Sequence, residues 1–224
     1  MTRRFLSFTL AAGLLALSLG GTETRAGTLA DLLVPGATVE VKGNGFDFLF
    51  SGFSYSATGS MPAAMNVNVV SISEGLEFQG AFGTSAGTSS DALISYTVTS
   101  ELGKITDAQL TGNPTVVGSG TMLVTDTLYI AGTTTTVGQM TSYDVEPPPP
   151  GLKNSDQLLG LNDQSLLVKK DIFAQSVTGV ASMSYVDQTY STTAIPEPAS
   201  FALLGIGLSG LFTLRRLFRR TSVA

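Results

Sequence analysis

The stretch Ile94-Ser95-Tyr96-Thr97-Val98-Thr99 alternates apolar and hydroxyl-bearing side chains with a period of two. Successive side chains of a β-strand point to opposite faces of the sheet, so the alternation predicts a strand with one buried face. Every position except Ser95 holds a β-branched or aromatic residue, and such residues favour pleated, half-buried surfaces.

Similar runs recur on both sides of this stretch, and clusters of glycine, asparagine, proline and serine separate them. The predicted strands lie at 38–41, 46–50, 66–71, 76–80, 94–99, 105–110, 122–130, 134–143, 166–173 and 177–190. Turn signals between them include residues 83–90, 112–114 and 118–120. Nine or ten short strands at this spacing predict an all-β, antiparallel β-sandwich. Jelly-roll and immunoglobulin-like topologies both remain open, and a sheet closed on itself is the alternative.

An aromatic segment lies at 46–55, and its aromatic positions change from even to odd after residue 50. Its rings are Phe46, Phe48, Phe50, Phe53 and Tyr55. Gly52 therefore predicts a bulge or turn that switches the register. We expect the rings to fill the sandwich. The alternative is an exposed strip, joined by Tyr96, on which sugar rings would stack.

The segment Glu146-Pro147-Pro148-Pro149-Pro150-Gly151 interrupts the strand pattern, and its four prolines predict a stiff loop or strand crossover at 146–151. Residues 152–164, with three leucines, predict a short helix or loop.

The composition excludes several function classes. Without cysteine, histidine or tryptophan, the chain has no Cys or His nucleophile, no Ser-His-Asp triad and no Cys/His zinc site. Residues 27–195 hold five lysines against fifteen carboxylates, a net charge of −10, which argues against a nucleic-acid partner. The length of this region predicts a single domain.

Carboxylates are the remaining means of catalysis or metal binding. The candidate pairs for a glycosidase-like mechanism are Glu74 with Glu77, Asp144 with Glu146, and Asp156 with Asp163. The candidate loop aspartates for calcium binding are Asp91, Asp107 and Asp126, although the EF-hand spacing is absent. An acidic protein offers such residues by accident, so we expect no catalytic residue, no metal and no cofactor. Lys169-Lys170-Asp171 is interpreted as an exposed strand end.

Residues 1–26 have the pattern of a secretory signal peptide. Arg3 and Arg4 precede an apolar run at 5–19, and small residues follow. The predicted cleavage site lies between Ala26 and Gly27, which leaves residues 27–195 as the β-sandwich domain.

Residues 196–224 form a second targeting segment. Pro196-Glu197-Pro198 precedes sixteen uncharged residues at 199–214, and four arginines follow. As a helix this span is about 24 Å long, short of the roughly 30 Å of a bilayer core. By the positive-inside rule the arginines stay in the cytoplasm, which places the chain before Pro196 outside it. These arginines are Arg215, Arg216, Arg219 and Arg220.

A Pro-Glu-Pro triplet, a short apolar span and an arginine cluster, in that order, resemble the PEP-CTERM sorting signal of Gram-negative bacteria. The resemblance implies export through the inner membrane and processing by an exosortase, with the helix in the membrane before processing. The alternative is an ordinary membrane anchor that is never cut.

The resemblance also implies a role in the cell envelope. We expect a non-enzymatic protein of the cell surface or extracellular matrix, with a structural or adhesive role associated with exopolysaccharide. The alternatives are a carbohydrate-binding module and a carboxylate-based glycoside hydrolase.

Overall fold

The computed structural model describes residues 25–43, 45–146 and 151–193. Over these ranges the chain is an all-β domain with antiparallel strand pairing, which confirms the predicted fold class. Within the described ranges, helix is limited to α1 (Leu29–Leu32) and a 3-10 turn at Ala64–Asn66. The strands are β1 (Arg25–Thr28), β2 (Thr38–Gly43), β3 (Phe46–Thr58), β4 (Asn68–Ile72), β5 (Gly75–Ser85), β6 (Thr88–Ser100), β7 (Ile105–Gly112), β8 (Thr115–Ile130), β9 (Thr136–Glu146), β10 (Gly151–Lys153), β11 (Ser155–Asp163) and β12 (Ser165–Thr192).

The long strand β12 organises the whole sheet. Its first half pairs with β6 on one edge, and its second half pairs with β5 on the same edge. On the other edge it pairs with β8 and then with β7. The segments 75–100 and 105–130 therefore both run antiparallel to β12 along its length.

A corner bends β12 and the two segments beside it, 75–100 and 105–130, at the same level. Gly87, Gly118 and Gly179 have φ values of +75°, +98° and +84° there, a region that favours glycine. Gly179 pairs with Gly118 across β12 and β8, next to a register shift between Ser176 and Thr178. The Gly87 N–H donates to the Ser176 carbonyl at 2.8 Å. Bulges and bends of this kind let strands pass from one layer of a sandwich to the other.

The corner folds the sheet into two facing layers. One layer has the order β2-β3-β6-β12-β8-β9-β10, and the other has the order β1-β4-β5-β12-β7-β11. The core lies between them, where the Tyr96 hydroxyl from β6 meets the Tyr190 hydroxyl from the far half of β12 at 3.1 Å. The Phe50 ring contacts both tyrosine rings, at centroid distances of 5.9 and 6.1 Å. The predicted strand around Ile94 contributes its apolar face to this core.

The predicted register switch at Gly52 is confirmed. The pairing of β3 with β6 shifts between Ser51 and Ser54, and Gly52 has a φ of +65°. The bulge places Phe53 on the buried face that Phe50 occupies before it. Aromatic residues at even positions before the bulge and at odd positions after it can therefore pack into one core.

Three sequence predictions about local structure are wrong. Residues 152–164 form β10 and β11 instead of a helix or loop, because β11 pairs with β7 along much of its length. The predicted turn at 118–120 lies within β8 and pairs with β12 beside a bulge at Val177. The predicted turn at 83–90 shrinks to the break at Ala86-Gly87, because β12 supplies strand partners on both sides of it.

Several predicted segments lie outside the described residues. They are the apolar run at 5–19, the prolines at 147–150, the Pro-Glu-Pro triplet at 196–198 and the apolar span with its arginines at 199–220. Within the ranges that the structure does describe, no helix has the length and apolarity needed to cross a membrane. The predicted cleavage site at Ala26 and Gly27 falls within β1, which pairs with β4.

Candidate functional site

A groove of about 570 Å³ opens beside the corner of the sheet, a volume in the range of small-molecule and glycan sites. It is built on the middle of β12, with the end of β5 on one side and the start of β8 on the other. Ser182 lies at its centre, paired with Gly83 across one edge and with Thr115 across the other. Gly83 has no side chain to fill the space next to Ser182, so the surface stays concave.

Uncharged polar and apolar groups together line this groove. No carboxylate, ammonium or guanidinium group lines it in the described part of the chain. The Ser85 and Ser182 hydroxyls make no hydrogen bond to any other described residue, so they are available to a ligand. The polar lining residues are Ser60, Thr84, Ser85, Asn113, Thr115, Ser182 and Ser184.

Two local hydrogen-bond networks hold the groove in shape. Asn113 accepts from the Ser184 and Tyr185 N–H groups at 3.1 and 3.2 Å and donates to the Ser184 hydroxyl at 2.8 Å. These bonds stabilise a register shift in β12 between Met183 and Tyr185. On the other wall the hydroxyls of Ser60, Ser90 and Thr84 form a chain with 3.0 Å steps. Both walls are therefore preformed.

A second polar cluster is buried in the core. Lys170 of β12 donates to the Asp126 Oδ2 of β8 at 2.6 Å, and both side chains are fully buried. Lys170 also donates to Gln188 Oε1 at 3.2 Å, and Gln188 comes from the opposite half of β12. Burial lowers the pKa of Lys170 although Asp126 favours its charged form. Burial likewise raises the pKa of Asp126 against the opposing effect of Lys170.

Two carboxyl pairs lie on the outer faces of the sheet. Asp187 stands directly opposite Glu77 across β12 and β5. Partial burial, and then the hydrogen bond and like charge of Glu77, raise the pKa of Asp187 to about 7. In the same way partial burial and Asp91 raise the pKa of Asp171 to about 6. Each pair shares a proton under mildly acidic conditions.

The predicted aromatic strip does not form an exposed platform. Phe48, Phe50, Phe53 and Tyr96 are buried in the core, which confirms that these rings fill the sandwich. Phe46 is partly buried against Phe48 at a centroid distance of 5.8 Å. Tyr55 is partly buried as well, and its hydroxyl donates to the Pro62 carbonyl at 2.5 Å. The exposed strip for sugar stacking, which was the alternative for this segment, is therefore absent from it.

The predicted carboxylate pairs take part in other contacts. Glu77 meets Asp187, while Glu74 lies in the turn before β5 with a φ of +66°. Asp144 accepts from the Val116 N–H at 2.7 Å. Asp156 accepts from the Thr141 N–H at 2.9 Å and pairs with Lys153, and these contacts lower its pKa although its slight burial acts in the opposite direction. Glu146 and Asp163 end β9 and β11.

The aspartates considered for calcium binding lie in strands rather than loops, and the interpretation of 169–171 as an exposed strand end is wrong. Asp91, Asp107 and Asp126 lie within β6, β7 and β8, and Asp126 is fully buried. Lys170 is fully buried because its side chain points to the core-facing side of β12. Lys169 points the other way and lies 5.2 Å from the centre of the Tyr129 ring.

Part of the buried cluster leaves a signal in the sequence. Lys170 is in phase with Val168 and Ile172, so strict alternation places its side chain on the apolar face. Gln188 has the same signal, because it is in phase with Val186 and Tyr190. Asn113 has none, because its partners are distant in sequence.

Comparison with known proteins identifies one segment of the chain. Residues 194–220 match the family model of the PEP-CTERM protein-sorting motif, which confirms the resemblance. The chain therefore carries this motif, which implies export to the cell surface of a Gram-negative bacterium and processing by an exosortase. None of the curated proteins matches the chain.

Two solved structures are distantly similar to the fold. The enzymatically active domain of bacteriophage CBA120 tailspike protein 4 aligns with a TM-score of 0.34 and 12% identity, over 62% of this chain and 19% of that one. TmCBM61, in complex with β-1,4-galactotriose, aligns with a TM-score of 0.31 and 9% identity, over 61% of this chain and 88% of that one. This chain thus spans about a fifth of the tailspike domain. Both scores are too low to support a functional argument.

Proposed function

We propose that this chain is an exported, non-catalytic protein of the cell surface or extracellular matrix, with a structural or adhesive role in association with exopolysaccharide. The hydroxyl- and amide-lined groove beside the corner is the observation that carries the proposal. Its contacts with polysaccharide hold the protein in the matrix.

The chemistry of the groove favours a neutral polysaccharide. Hydroxyl and amide groups both donate and accept hydrogen bonds, which matches the hydroxyl groups of sugars. The free hydroxyls of Ser85 and Ser182 lie on the neighbouring strands β5 and β12. Ser85 pairs with Val180, which is two residues before Ser182. A polyanion would gain no ion pair in this groove and would meet a domain with a net charge of −10.

The sorting motif supports the proposed location. Export puts the sandwich where exopolysaccharide accumulates, and exosortase processing separates it from the arginine-bearing segment that includes Arg215 and Arg216. The acidic domain that remains is suited to staying soluble outside the cell.

The test is binding of the folded chain to a neutral glucan, dextran, and to a polyanion, alginate, measured by affinity electrophoresis. The assay also includes a panel of other neutral polysaccharides. We expect dextran or a member of this panel to retard the protein, and alginate to have no effect. Ser182→Tyr fills the groove and should weaken the retardation at least tenfold. Ser56→Tyr adds the same ring to the exposed part of β3 and is the matched control.

Two results would contradict the proposal. One is the absence of retardation by every neutral polysaccharide in the panel. The other is equal retardation of the wild type and the Ser182→Tyr variant, which would place the binding surface elsewhere.

A further inference from the structure

Three side chains of complementary reactivity meet in the core of the sandwich. Lys170 Nζ lies 2.6 Å from Asp126 Oδ2 and 3.2 Å from Gln188 Oε1. All three side chains are fully buried. Lys170 and Asp126 are direct cross-strand partners in one layer, whereas Gln188 reaches them from the other layer.

As a set of hydrogen bonds this cluster is incomplete. Gln188 Nε2 and Asp126 Oδ1 are buried, and neither has a hydrogen-bond partner in the described part of the chain. Buried polar atoms are usually paired, because an unpaired one loses its interaction with water and gains nothing in return. The unpaired nitrogen belongs to the Gln188 carboxamide, which can release ammonia in an acyl transfer.

The surroundings suit a nucleophilic amine. Burial lowers the pKa of Lys170, which favours the neutral amine. Burial raises the pKa of Asp126, which favours the protonated carboxyl. Both shifts favour transfer of a proton from nitrogen to oxygen across the 2.6 Å hydrogen bond. The amine is hydrogen-bonded to the Gln188 Oε1 at 3.2 Å, which places it next to the carboxamide group that it would attack.

We propose that Lys170 and Gln188 join in an intramolecular isopeptide bond, with Asp126 as the proton carrier. The lone pair of the neutral Lys170 Nζ attacks the carboxamide carbon Cδ of Gln188 and forms a new N–C bond. The protonated Asp126 carboxyl donates its proton to Nε2, and the resulting carboxylate then accepts a proton from the attacking nitrogen. The Cδ–Nε2 bond then breaks, and ammonia leaves. The product is a secondary amide, and no oxidant or other reactant is needed.

The bond would cross-link the two layers of the sandwich. It joins residues eighteen positions apart on the two halves of β12, on either side of the corner. A covalent link restricts the unfolded chain, as a disulfide does. The chain has no cysteine, so this link would supply a covalent constraint that disulfides supply in other exported proteins.

The test is peptide mapping of the folded full-length chain by tandem mass spectrometry after denaturation. We expect a linked peptide pair that contains Lys170 and Gln188 and weighs one ammonia less than the sum of its two peptides. Mapping at the peptide level makes the result independent of processing at either terminus. Lys170→Met, Gln188→Leu and Asp126→Asn should each abolish the linked pair. Lys169→Met removes the neighbouring outward-facing lysine and should retain it.

Three outcomes would overturn the proposal. The first is recovery of unlinked Lys170 and Gln188 peptides at their sequence masses from folded wild-type protein. The second is a pair lighter by one water, which would assign the bond to Lys170 and Asp126. The third is an ammonia loss that persists in Lys170→Met, which would place the reaction elsewhere in the chain. The wild-type measurement decides the question even if a variant fails to fold.

Discussion

At the residue scale, the pair of Glu77 and Asp187 links protonation to stability. The two carboxyls face each other across neighbouring strands, and the Gln79 amide donates to Glu77. Partial burial and Glu77 raise the pKa of Asp187 to about 7, from an ordinary value of 3.8. The attraction of Lys170 acts in the opposite direction and is outweighed. The folded state therefore prefers the protonated form of Asp187.

This pair predicts a loss of stability as the pH rises. A carboxyl whose pKa is raised by folding stabilises the protein fully below its unfolded pKa, and the contribution disappears as the pH passes its folded pKa. The free energy of unfolding should fall between about pH 5 and about pH 8, with Asp171 contributing through its pKa of about 6. Urea denaturation at the two pH values measures the change.

Asp187→Asn isolates this contribution, because an amide resembles the protonated carboxyl and does not titrate. The variant should lose less stability than the wild type over the same pH interval. Glu101→Gln, in the exposed turn after β6, is the matched control and should follow the wild type. A pH dependence that is the same in Asp187→Asn and in the wild type would refute the assignment.

At the scale of elements, the corner depends on glycines in β8 and β12. A Cβ atom added at Gly179 would lie 1.9 Å from the Val117 carbonyl oxygen, and one added at Gly118 would lie 2.2 Å from that of Thr178. Backbone atoms cannot yield as side chains can, so the two strands could not keep their pairing. The corner therefore requires glycine both for its positive φ and for its close strand contact.

Gly179→Ala should lower the free energy of unfolding by roughly 2–3 kcal/mol, through a strained φ together with a backbone clash. Gly36→Ala is the matched control, because Gly36 has the same φ of +84° and no atom lies within 4 Å of an added Cβ. The control should cost only about 1 kcal/mol, from strain alone. Equal losses in the two variants would show that strand contact at the corner is not limiting.

At the scale of the whole molecule, the sorting motif determines where the sandwich is delivered. Replacing Pro196, Glu197 and Pro198 with alanine removes the triplet from the matched segment 194–220. We expect the variant to accumulate in the membrane with its arginine-bearing segment attached. Cell fractionation and the intact mass of the recovered protein measure this outcome.

The matched control changes Thr221, Ser222 and Val223 to alanine, just beyond the matched segment. It should be processed like the wild type. If the triplet variant has the same mass and location as the wild-type protein, processing does not depend on Pro-Glu-Pro.

Local sequence patterns predict much of this fold. Alternation identifies the strand at 94–99, and the change of parity around Gly52 identifies a bulge that the structure contains. The predictions fail where a distant strand decides the outcome. The sequence of residues 152–164 predicts a helix or loop, yet most of this segment pairs with β7 as a strand of the sheet. Residues 118–120 look like a turn, yet they stay in β8 and pair with β12 beside its bulge.

Local sequence patterns could not predict the candidate groove. Its walls come from β5, β8 and β12, and its defining residue Asn113 bonds to residues about seventy positions away. Serine and threonine are frequent throughout this chain, so those that line a groove do not stand out in the sequence.

The sequence alone determined the strand-forming character of the domain, its acidity and its sorting motif, because composition, period and motif are local properties. The tertiary structure alone decided which polar residues meet. The bend of β12 brings Gln188 to Lys170, and the pairing of β12 with β8 brings Asp126 to the same lysine. Long-range strand pairing depends on the whole chain, so no short window of sequence could place these three side chains together.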